Sequence, residues 1–125
     1  TPTRQEHLAL YDLVDIGLDT FIYNGTTTTC EDLWMGVPVL TVSGEYHADR
    51  VGLTLLEGAG LSAWVSDSDK DFIENAVKRS ENLSKLSALR AGLRERLLAS
   101  DRCNAAQFTS NLEHAYRRMW QEWLC

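Results

Sequence analysis

Basic residues, cysteines and long apolar runs are all scarce in this sequence of 125 residues. The 12 Lys and Arg are outnumbered by 18 Asp and Glu, and the resulting net charge of −6 argues against a nucleic-acid-binding surface, which would be basic and clustered. No apolar run approaches the roughly 20 residues of a membrane span. The N-terminus also lacks the basic-then-apolar pattern of a signal peptide. The sequence therefore predicts neither a nucleic-acid partner nor a membrane partner.

The cysteines are Cys30, Cys103 and Cys125, which are far apart, form no CxxC motif and have no histidine at metal-ligand spacing. They predict reduced thiols in a cytoplasmic protein, and neither a disulfide framework nor a zinc site. The apolar fraction of 44% is enough for one domain with a modest core. Because the chain begins without methionine, at Thr1, we expect it to be part of a longer polypeptide.

The hydrophobic pattern predicts alternating strands and helices. Strands are expected over 15–21, 37–42 and 62–66, and the second is a near-continuous apolar run, typical of a strand buried on both faces of a parallel sheet. Helices are expected over 4–13, 28–35, 47–57, 69–80, the leucine-striped segment from Leu83 to Leu97, and 104–124. The β-α-β-α-β order favours a three-layer α/β fold with a parallel sheet. Because three strands are few for a doubly wound sheet, we expect only its second half.

Two helices carry patterns that predict their contacts. The helix over 69–80 should bury Phe72, Ile73, Ala76 and Val77. The last helix carries an apolar stripe that predicts contacts in a core or an interface: Phe108, Leu112, Tyr116, Met119, Trp120 and Trp123.

The most informative stretch joins the first strand to the second helix, where Asn24-Gly25 marks a turn and Thr26 to Thr29 follow it. A helix leaves its first N–H groups without partners, so amides and hydroxyls converge here in a manner typical of a phosphate site. Thr28-Thr29-Cys30-Glu31 also fits a capping box, in which Glu31 bonds back to the cap amide. If the threonines instead hold a diphosphate, Glu31 is free to accept hydrogen bonds from ribose hydroxyls.

Other candidates carry less weight from spacing alone. His47 and Arg50 lie at the start of the helix after the second strand, at the carboxyl edge where ligands bind to open α/β sheets. Arg50 could instead pair with Asp49 or Glu45. A single histidine near a helix start, such as His7, is usually on the surface. Spacing therefore indicates no more than a nucleotide- or phosphate-binding half of an α/β domain.

The run from Leu18 to Thr41 strongly resembles the catalytic region of the O-linked N-acetylglucosamine transferase family (glycosyltransferase family 41), which includes SPINDLY proteins and bacterial proteins with tetratricopeptide repeats. The similarity extends through Glu6-His7-Leu8, His47-Ala48-Asp49-Arg50 and the segment from Leu112 to Trp120. It implies that residues 1–125 form the C-terminal part of the nucleotide-sugar-binding, Rossmann-like lobe of a GT-B glycosyltransferase. Animal enzymes carry a histidine at Thr26, which places this chain nearer the bacterial and SPINDLY-type members.

The resemblance also implies roles for individual residues in binding the nucleotide-sugar. Thr27 and Thr28, beside Thr26, would bind the diphosphate, and Glu31 would bind the ribose hydroxyls. His7 stands where the family has a histidine that packs against the nucleotide. Support is expected from four further residues: Asn24, Gly25, His47 and Arg50.

The implied activity is that of an inverting glycosyltransferase, which moves N-acetylglucosamine from UDP-N-acetylglucosamine to Ser or Thr hydroxyls of protein acceptors, without a cofactor or metal. Arg4 stands where a lysine assists the phosphates, so it keeps the charge but changes the shape. The alternatives are a GDP-fucose donor, as associated with SPINDLY-type members, and a non-catalytic nucleotide-binding or interaction module.

The parts that the resemblance places outside this chain are the N-terminal lobe, the general base, most of the acceptor groove and the tetratricopeptide repeats. We therefore expect the isolated fragment to be inactive. We also expect its first strand, which lacks a neighbour, to drive association into homo-oligomers.

Overall fold

The computed structural model describes residues 3–20 and 22–124. Its α-helices are α1 (Arg4–Ala9), α2 (Thr27–Trp34), α3 (Val51–Gly58), α4 (Asp69–Ser80), α5 (Leu83–Leu98) and α6 (Ala105–Leu124). Its strands are β1 (Gly17–Asp19), β2 (Val39–Val42) and β3 (Val65–Ser66). Short 3-10 turns cover Leu10–Leu13, His47–Asp49, Ser62–Trp64 and Asp101–Cys103. Phe21, expected to end the first strand, and Cys125 lie outside the described residues.

The strands form one sheet in the order β1-β2-β3, and they are parallel, as the sequence predicted. Gly17 pairs with Val39 and Thr41 pairs with Val65, so β2 is the central strand. Each strand is shorter than expected. The third is shortened because Ser62–Trp64 coils into a 3-10 turn that buries the Trp64 side chain. The predicted alternation along the chain and the parallel direction of the strands are confirmed, and the bounds of the strands differ.

Both faces of β2 are covered. Successive side chains of a strand point to opposite faces, and Val39, Leu40 and Thr41 are all almost completely buried. The face of Thr41 meets the start of α3, where Gly52 approaches it closely. Helix α4 packs against β2 and β3. The predicted three-layer α/β arrangement is therefore confirmed, with the core on both sides of β2.

Helix α4 buries a narrower stripe than predicted. Phe72 is buried and Ala76 is partly buried against the core, but Ile73 and Val77 are 63% and 55% exposed. Neighbouring helix positions differ by about 100° around the axis, so Phe72 and Ala76 form one row of side chains and Ile73 and Val77 form the next. Only the first row faces the small sheet. The prediction that Ile73 and Val77 are buried is wrong.

Helix α5 lies against α2 and α4, and its leucine stripe behaves largely as predicted. Leu86 and Leu93 are buried, while Leu89 and Leu97 pack against the core from its edge. Leu83, the first residue of the helix, is exposed.

Helix α6 projects its apolar stripe away from the core. The side chains of the stripe are between 41% and 76% exposed: Phe108, Leu112, Tyr116, Met119, Trp120 and Trp123. Trp120 and Trp123 stack on each other with ring centroids 5.5 Å apart. The interpretation of this stripe as core is wrong for the described residues, and its interpretation as an interface stays a prediction.

Strand β1 lies at one edge of the sheet, with Leu18 more than half exposed. Within residues 3–20 and 22–124, no helix is long and apolar enough to cross a membrane.

Candidate functional site

The start of α2 lacks a side-chain cap. Thr26 occupies the N-cap position, and its side chain accepts no hydrogen bond from the helix amides. The first intrahelical bond runs from the Cys30 amide to the Thr26 carbonyl, at 3.0 Å. Of the two alternatives that the sequence left open, the capping box of Thr28 and Glu31 is excluded, because the helix begins at Thr27 and Thr28 already lies inside its first turn. The first amides of α2 are thus left for another partner.

The threonines of this turn divide into two kinds. Thr26, Thr27 and Thr28 are exposed. Thr29 is buried, and its hydroxyl donates to the carbonyl of Gly25 at 2.9 Å. One threonine therefore secures the turn, and the other three present their hydroxyls to solvent beside the free amides.

A carboxylate at the end of β1 ties the turn to the sheet. Asp19 accepts a 2.8 Å hydrogen bond from the Gly25 amide through Oδ1 and a 2.9 Å bond from the Thr41 hydroxyl through Oδ2. The carboxylate thereby fixes the backbone just before the helix start. Charge-assisted bonds of this type are among the stronger hydrogen bonds in proteins.

Asn24 joins the same turn to α3. Its side chain is buried, donates to the Thr41 hydroxyl at 3.2 Å and accepts from the Gly52 amide at 3.0 Å. The backbone amide of Asn24 donates to the carbonyl of Ala48 at 2.9 Å. Asn24 therefore has a structural role, since its buried side chain and its backbone connect the turn to β2 and to the start of α3.

Two glycines allow these elements to approach closely. A Cβ on Gly25 would lie 2.6 Å from the Thr28 hydroxyl and 2.8 Å from the Thr29 hydroxyl. A Cβ on Gly52 would lie 2.5 Å from the Thr41 hydroxyl. Any side chain at either position would push the turn and the helix starts apart.

Glu31, one turn into α2, faces α1. Its Oε2 lies 3.6 Å from Nε2 of His7, and its side chain is 27% exposed. Arg4 precedes His7 by three residues on α1, so the two side chains share a helix face. The structure therefore brings His7 and Glu31 together beside the helix start, although they are distant in sequence.

His47 and Arg50 lie on the segment between β2 and α3. Both line a cavity of about 280 Å³ whose walls also include Thr54 and Arg102 but none of the exposed threonines. Arg50 donates to the carbonyl of Gly44 at 3.0 Å, instead of pairing with either of the carboxylates offered by the sequence. Their segment nevertheless flanks the turn before α2, because the carbonyl of Ala48 accepts the 2.9 Å hydrogen bond from the backbone amide of Asn24.

The surroundings of two titratable groups of α2 raise their pKa values and so disfavour their charged forms. Burial raises the pKa of the Cys30 thiol, which disfavours the reactive thiolate. Burial, reinforced by Asp19 and Glu31, raises the pKa of Asp32 to about 6. Within the described part of the chain, no group of three His, Cys, Asp or Glu side chains could hold a metal ion.

Sequence reasoning missed three residues that hold this site: Asp19, Thr41 and Gly52. Asp19 had a readable signal, since it is a carboxylate at the carboxyl end of a predicted strand. Thr41 is a polar residue inside an apolar strand, which also marks a position with a buried partner. Gly52 had no such signal, because its importance depends on the approach of α3 to β2.

The arrangement is suited to bind an anion next to a polyhydroxylated group. Unpaired amides and the positive end of the helix dipole attract negative charge, and the exposed hydroxyls can donate further hydrogen bonds. Glu31 lies one turn further along the helix, and an ionised carboxylate accepts hydrogen bonds but donates none.

Comparison with known proteins agrees with this geometry. The model of the family described as glycosyl transferase family 41 matches residues 1–112. A SPINDLY protein of Petunia hybrida, named a probable UDP-N-acetylglucosamine–peptide N-acetylglucosaminyltransferase, is 47% identical over 120 residues, which are 96% of this chain and 13% of that protein. The SEC protein of Arabidopsis thaliana, with the same enzyme name, is 36% identical over 94% of this chain and 12% of its own length.

A solved structure shows the same relationship. A mutant of the Thermobaculum terrenum O-GlcNAc transferase superposes with a TM-score of 0.83 and 41% identity, over 97% of this chain and 23% of that one. The chain thus spans about an eighth of the curated relatives, 13% in the case of the Petunia protein. The match of the family model and the identity to these relatives lead to one conclusion: the chain belongs to glycosyl transferase family 41.

Proposed function

We propose that this chain is the nucleotide-sugar-binding part of a protein O-glycosyltransferase that moves N-acetylglucosamine from UDP-N-acetylglucosamine to Ser or Thr hydroxyls of proteins. The observation that carries the proposal is the uncapped start of α2, where exposed threonines and free amides lie beside Glu31 and His7. The names of the relatives support the same activity.

In the proposed complex, the amides of the first turn and the hydroxyls of Thr26, Thr27 and Thr28 bind the diphosphate. Negative charge develops on the leaving UDP during transfer, and the helix N-terminus stabilises it without reorganisation. In this proposal Arg4, the first residue of α1 and three residues before His7, adds a cation for the phosphates. These groups supply positive charge from the protein itself, so we propose a reaction that uses neither a metal nor a cofactor.

Glu31 and His7 bind the nucleoside in this proposal. The ionised Glu31 carboxylate accepts hydrogen bonds from the ribose hydroxyls, and the His7 ring packs against the nucleotide. Asn24 and Gly25 act indirectly, through the turn that they support. His47 and Arg50 flank Ala48, whose carbonyl binds the Asn24 backbone amide, so they too are proposed to support the turn and not to touch the nucleotide.

The rest of the machinery is proposed to lie in other parts of a longer protein. Because the chain covers 13% of the Petunia relative, we propose that residues 1–125 are the C-terminal part of one lobe. The general base, the acceptor groove, the second lobe and the tetratricopeptide repeats belong to the remainder. We also propose a cytoplasmic location, which the free thiols of Cys30 and Cys103 support.

The donor can be tested by titrating UDP and GDP into the full-length protein and into its Glu31→Ala variant by calorimetry. We expect UDP to bind more tightly than GDP, and Glu31→Ala to weaken UDP binding roughly tenfold or more, since an acceptor for the ribose hydroxyls is lost. Glu113→Ala on the exposed surface of α6 is the matched control and should leave the affinity unchanged.

Two results would contradict parts of the proposal. Tighter binding of GDP would favour the fucose donor over N-acetylglucosamine. Unchanged UDP affinity in Glu31→Ala would remove the ribose role of this residue, and the absence of any nucleotide binding would favour a non-catalytic interaction module.

A further inference from the structure

The cavity of about 280 Å³ beside α3 is lined by three basic side chains, His47, Arg50 and Arg102. No Asp or Glu lines it, and among the described residues none of the three forms an ion pair with a carboxylate. Acidic residues outnumber basic ones in this chain, 18 to 12, so a cavity whose charged groups are all basic differs from the average surface of the protein. The charge of these side chains favours an anionic ligand at this cavity.

Hydrogen bonds to backbone carbonyls hold both guanidinium groups in place. Arg50 donates to the carbonyl of Gly44 at 3.0 Å, and Arg102 donates to the carbonyl of Thr54. The Arg102 side chain also packs so closely on Gly58 that a Cβ there would overlap it. A guanidinium has five N–H donors, so one bond to a carbonyl leaves the others for a ligand. The two arginines are therefore oriented before any ligand binds.

The other lining residues make one wall of the cavity apolar. Val51 and Leu55 are four positions apart on α3 and so share a face of the helix. The hydroxyl of Thr54 donates to the carbonyl of Arg50 at 3.0 Å, so its proton is already used. The volume lies just below the range of about 300–1,000 Å³ that is typical of ligand pockets, which indicates a small ligand.

We propose that this cavity is a second anion site, which binds the phosphate group of a small ligand and is distinct from the diphosphate site at the start of α2. Arg50 and Arg102 donate charge-assisted hydrogen bonds to the phosphate oxygens, for which the planar guanidinium is well suited. Free phosphate and a small phosphomonoester share this chemistry, and the apolar wall favours the ester. The inference goes beyond the proposed function, since none of the exposed threonines lines this cavity.

The test measures phosphate binding to the full-length protein saturated with UDP, which keeps phosphate away from the diphosphate site. Broadening of the ³¹P resonances of inorganic phosphate and of ethyl phosphate reports the binding of each. Arg102→Gln should lower the affinity for both probes roughly tenfold, because charged donors are lost, and Arg102→Lys should lose less. Arg118→Gln on α6, where the arginine is exposed, is the matched control and should bind both probes as the wild type does. Unchanged UDP affinity shows that each variant is folded.

The two probes distinguish the sources of the phosphate group. Tighter binding of ethyl phosphate identifies a phosphomonoester as the ligand, and equal or weaker binding identifies free phosphate. The inference is overturned if the wild type broadens neither resonance. An equal loss in Arg102→Gln and Arg118→Gln overturns it too, because binding then follows net charge alone.

A further variant separates this inference from the proposed function. If Thr28→Ala abolishes phosphate binding and Arg102→Gln does not, the phosphate is bound at α2, so the inference fails and the proposed function stands. If the wild type binds no UDP but Arg102→Gln still lowers the affinity for phosphate, the proposed function fails and the inference stands.

Discussion

Thr28 and Thr29 are adjacent and chemically identical, yet the structure gives them different tasks. Thr29 is buried and bonds the Gly25 carbonyl, whereas Thr28 is exposed at the uncapped helix start. A hydroxyl with a carbonyl partner secures the fold, and a hydroxyl at a free helix N-terminus can bind a ligand. At the scale of single residues, function is therefore decided by which neighbour each side chain meets.

Thr28→Ala should weaken UDP binding by the full-length protein. The variant loses one hydroxyl that donates to the diphosphate, which corresponds to about 1.5 kcal/mol, or roughly tenfold in Kd. Calorimetry measures the change. Thr28→Ser keeps the hydroxyl and should retain most of the affinity, while Thr109→Ala on exposed α6 controls for the loss of a threonine. Equal affinities for Thr28→Ala and the wild type would remove Thr28 from the site.

Asp32 makes stability depend on pH. Its pKa in the folded state is raised to about 6, above the ordinary value of 3.8, so the folded state binds this proton more tightly than the unfolded state does. The stabilisation that protonated Asp32 provides is complete below about pH 4 and is lost as the pH rises toward 6. At neutral pH the charged carboxylate therefore destabilises the fold.

Asp32→Asn should raise the free energy of unfolding by about 1 kcal/mol near pH 7.5, a figure discounted because the carboxylate is half exposed. The gain should shrink toward zero near pH 4, where wild-type Asp32 is protonated. Urea denaturation at both pH values measures this difference. Asp12→Asn, at an exposed position, should change stability by less than about 0.5 kcal/mol. A gain in the Asp32 variant that is independent of pH would contradict the argument.

At the scale of elements, the strand-to-helix turn is held by bonds between segments. Gly25 permits the turn because no side chain fits beside the Thr28 and Thr29 hydroxyls. Asp19 and Asn24 then connect it to β2 and α3. The predicted turn, helix start and parallel strands were read correctly from local patterns. The sequence could not decide between a capping box and an uncapped helix start, because the same residues are compatible with both. The residue at which the helix begins and the direction of Glu31 decide between them.

Gly25→Ala should destabilise the protein by about 1–3 kcal/mol, because its Cβ would overlap two hydroxyls and force the turn open. The same change should weaken UDP binding, since it displaces Thr28. Gly92→Ala in α5 is the matched control. A Cβ there meets nothing within 4 Å, and it should stabilise the helix by up to about 1 kcal/mol. Urea denaturation measures both effects, and equal stabilities of the two variants would contradict the proposed crowding at Gly25.

At the scale of the whole molecule, apolar surface remains uncovered on β1 and along α6. Leu18 on the edge strand is 56% exposed, and Trp123 on α6 is 76% exposed. The sequence pattern showed that these residues are apolar. The pattern could not show that these side chains are exposed to solvent in the described part of the chain, because exposure depends on which elements pack against each face.

The isolated chain of 125 residues should associate as its concentration rises, because the edge of β1 offers unpaired backbone groups and an apolar side chain. Light scattering measures the mass. Leu18→Lys should lower the association, since lysine on an edge strand opposes pairing. Leu83→Lys, on an exposed leucine of α5, is the control and should associate as the wild type does. A monomer at high concentration would contradict the prediction.

The sequence by itself determined the order of helices and strands, the parallel direction of the sheet and the place of the threonine turn. Those features follow from periodicity, turn residues and helix starts, which are local. Only the tertiary structure decided that Thr29 turns inward, that Glu31 meets His7, and that Ala48 binds the backbone amide of Asn24. The decisive bonds join residues 22 and 28 positions apart, Thr41 to Asp19 and Gly52 to Asn24, and no local pattern specifies such partners.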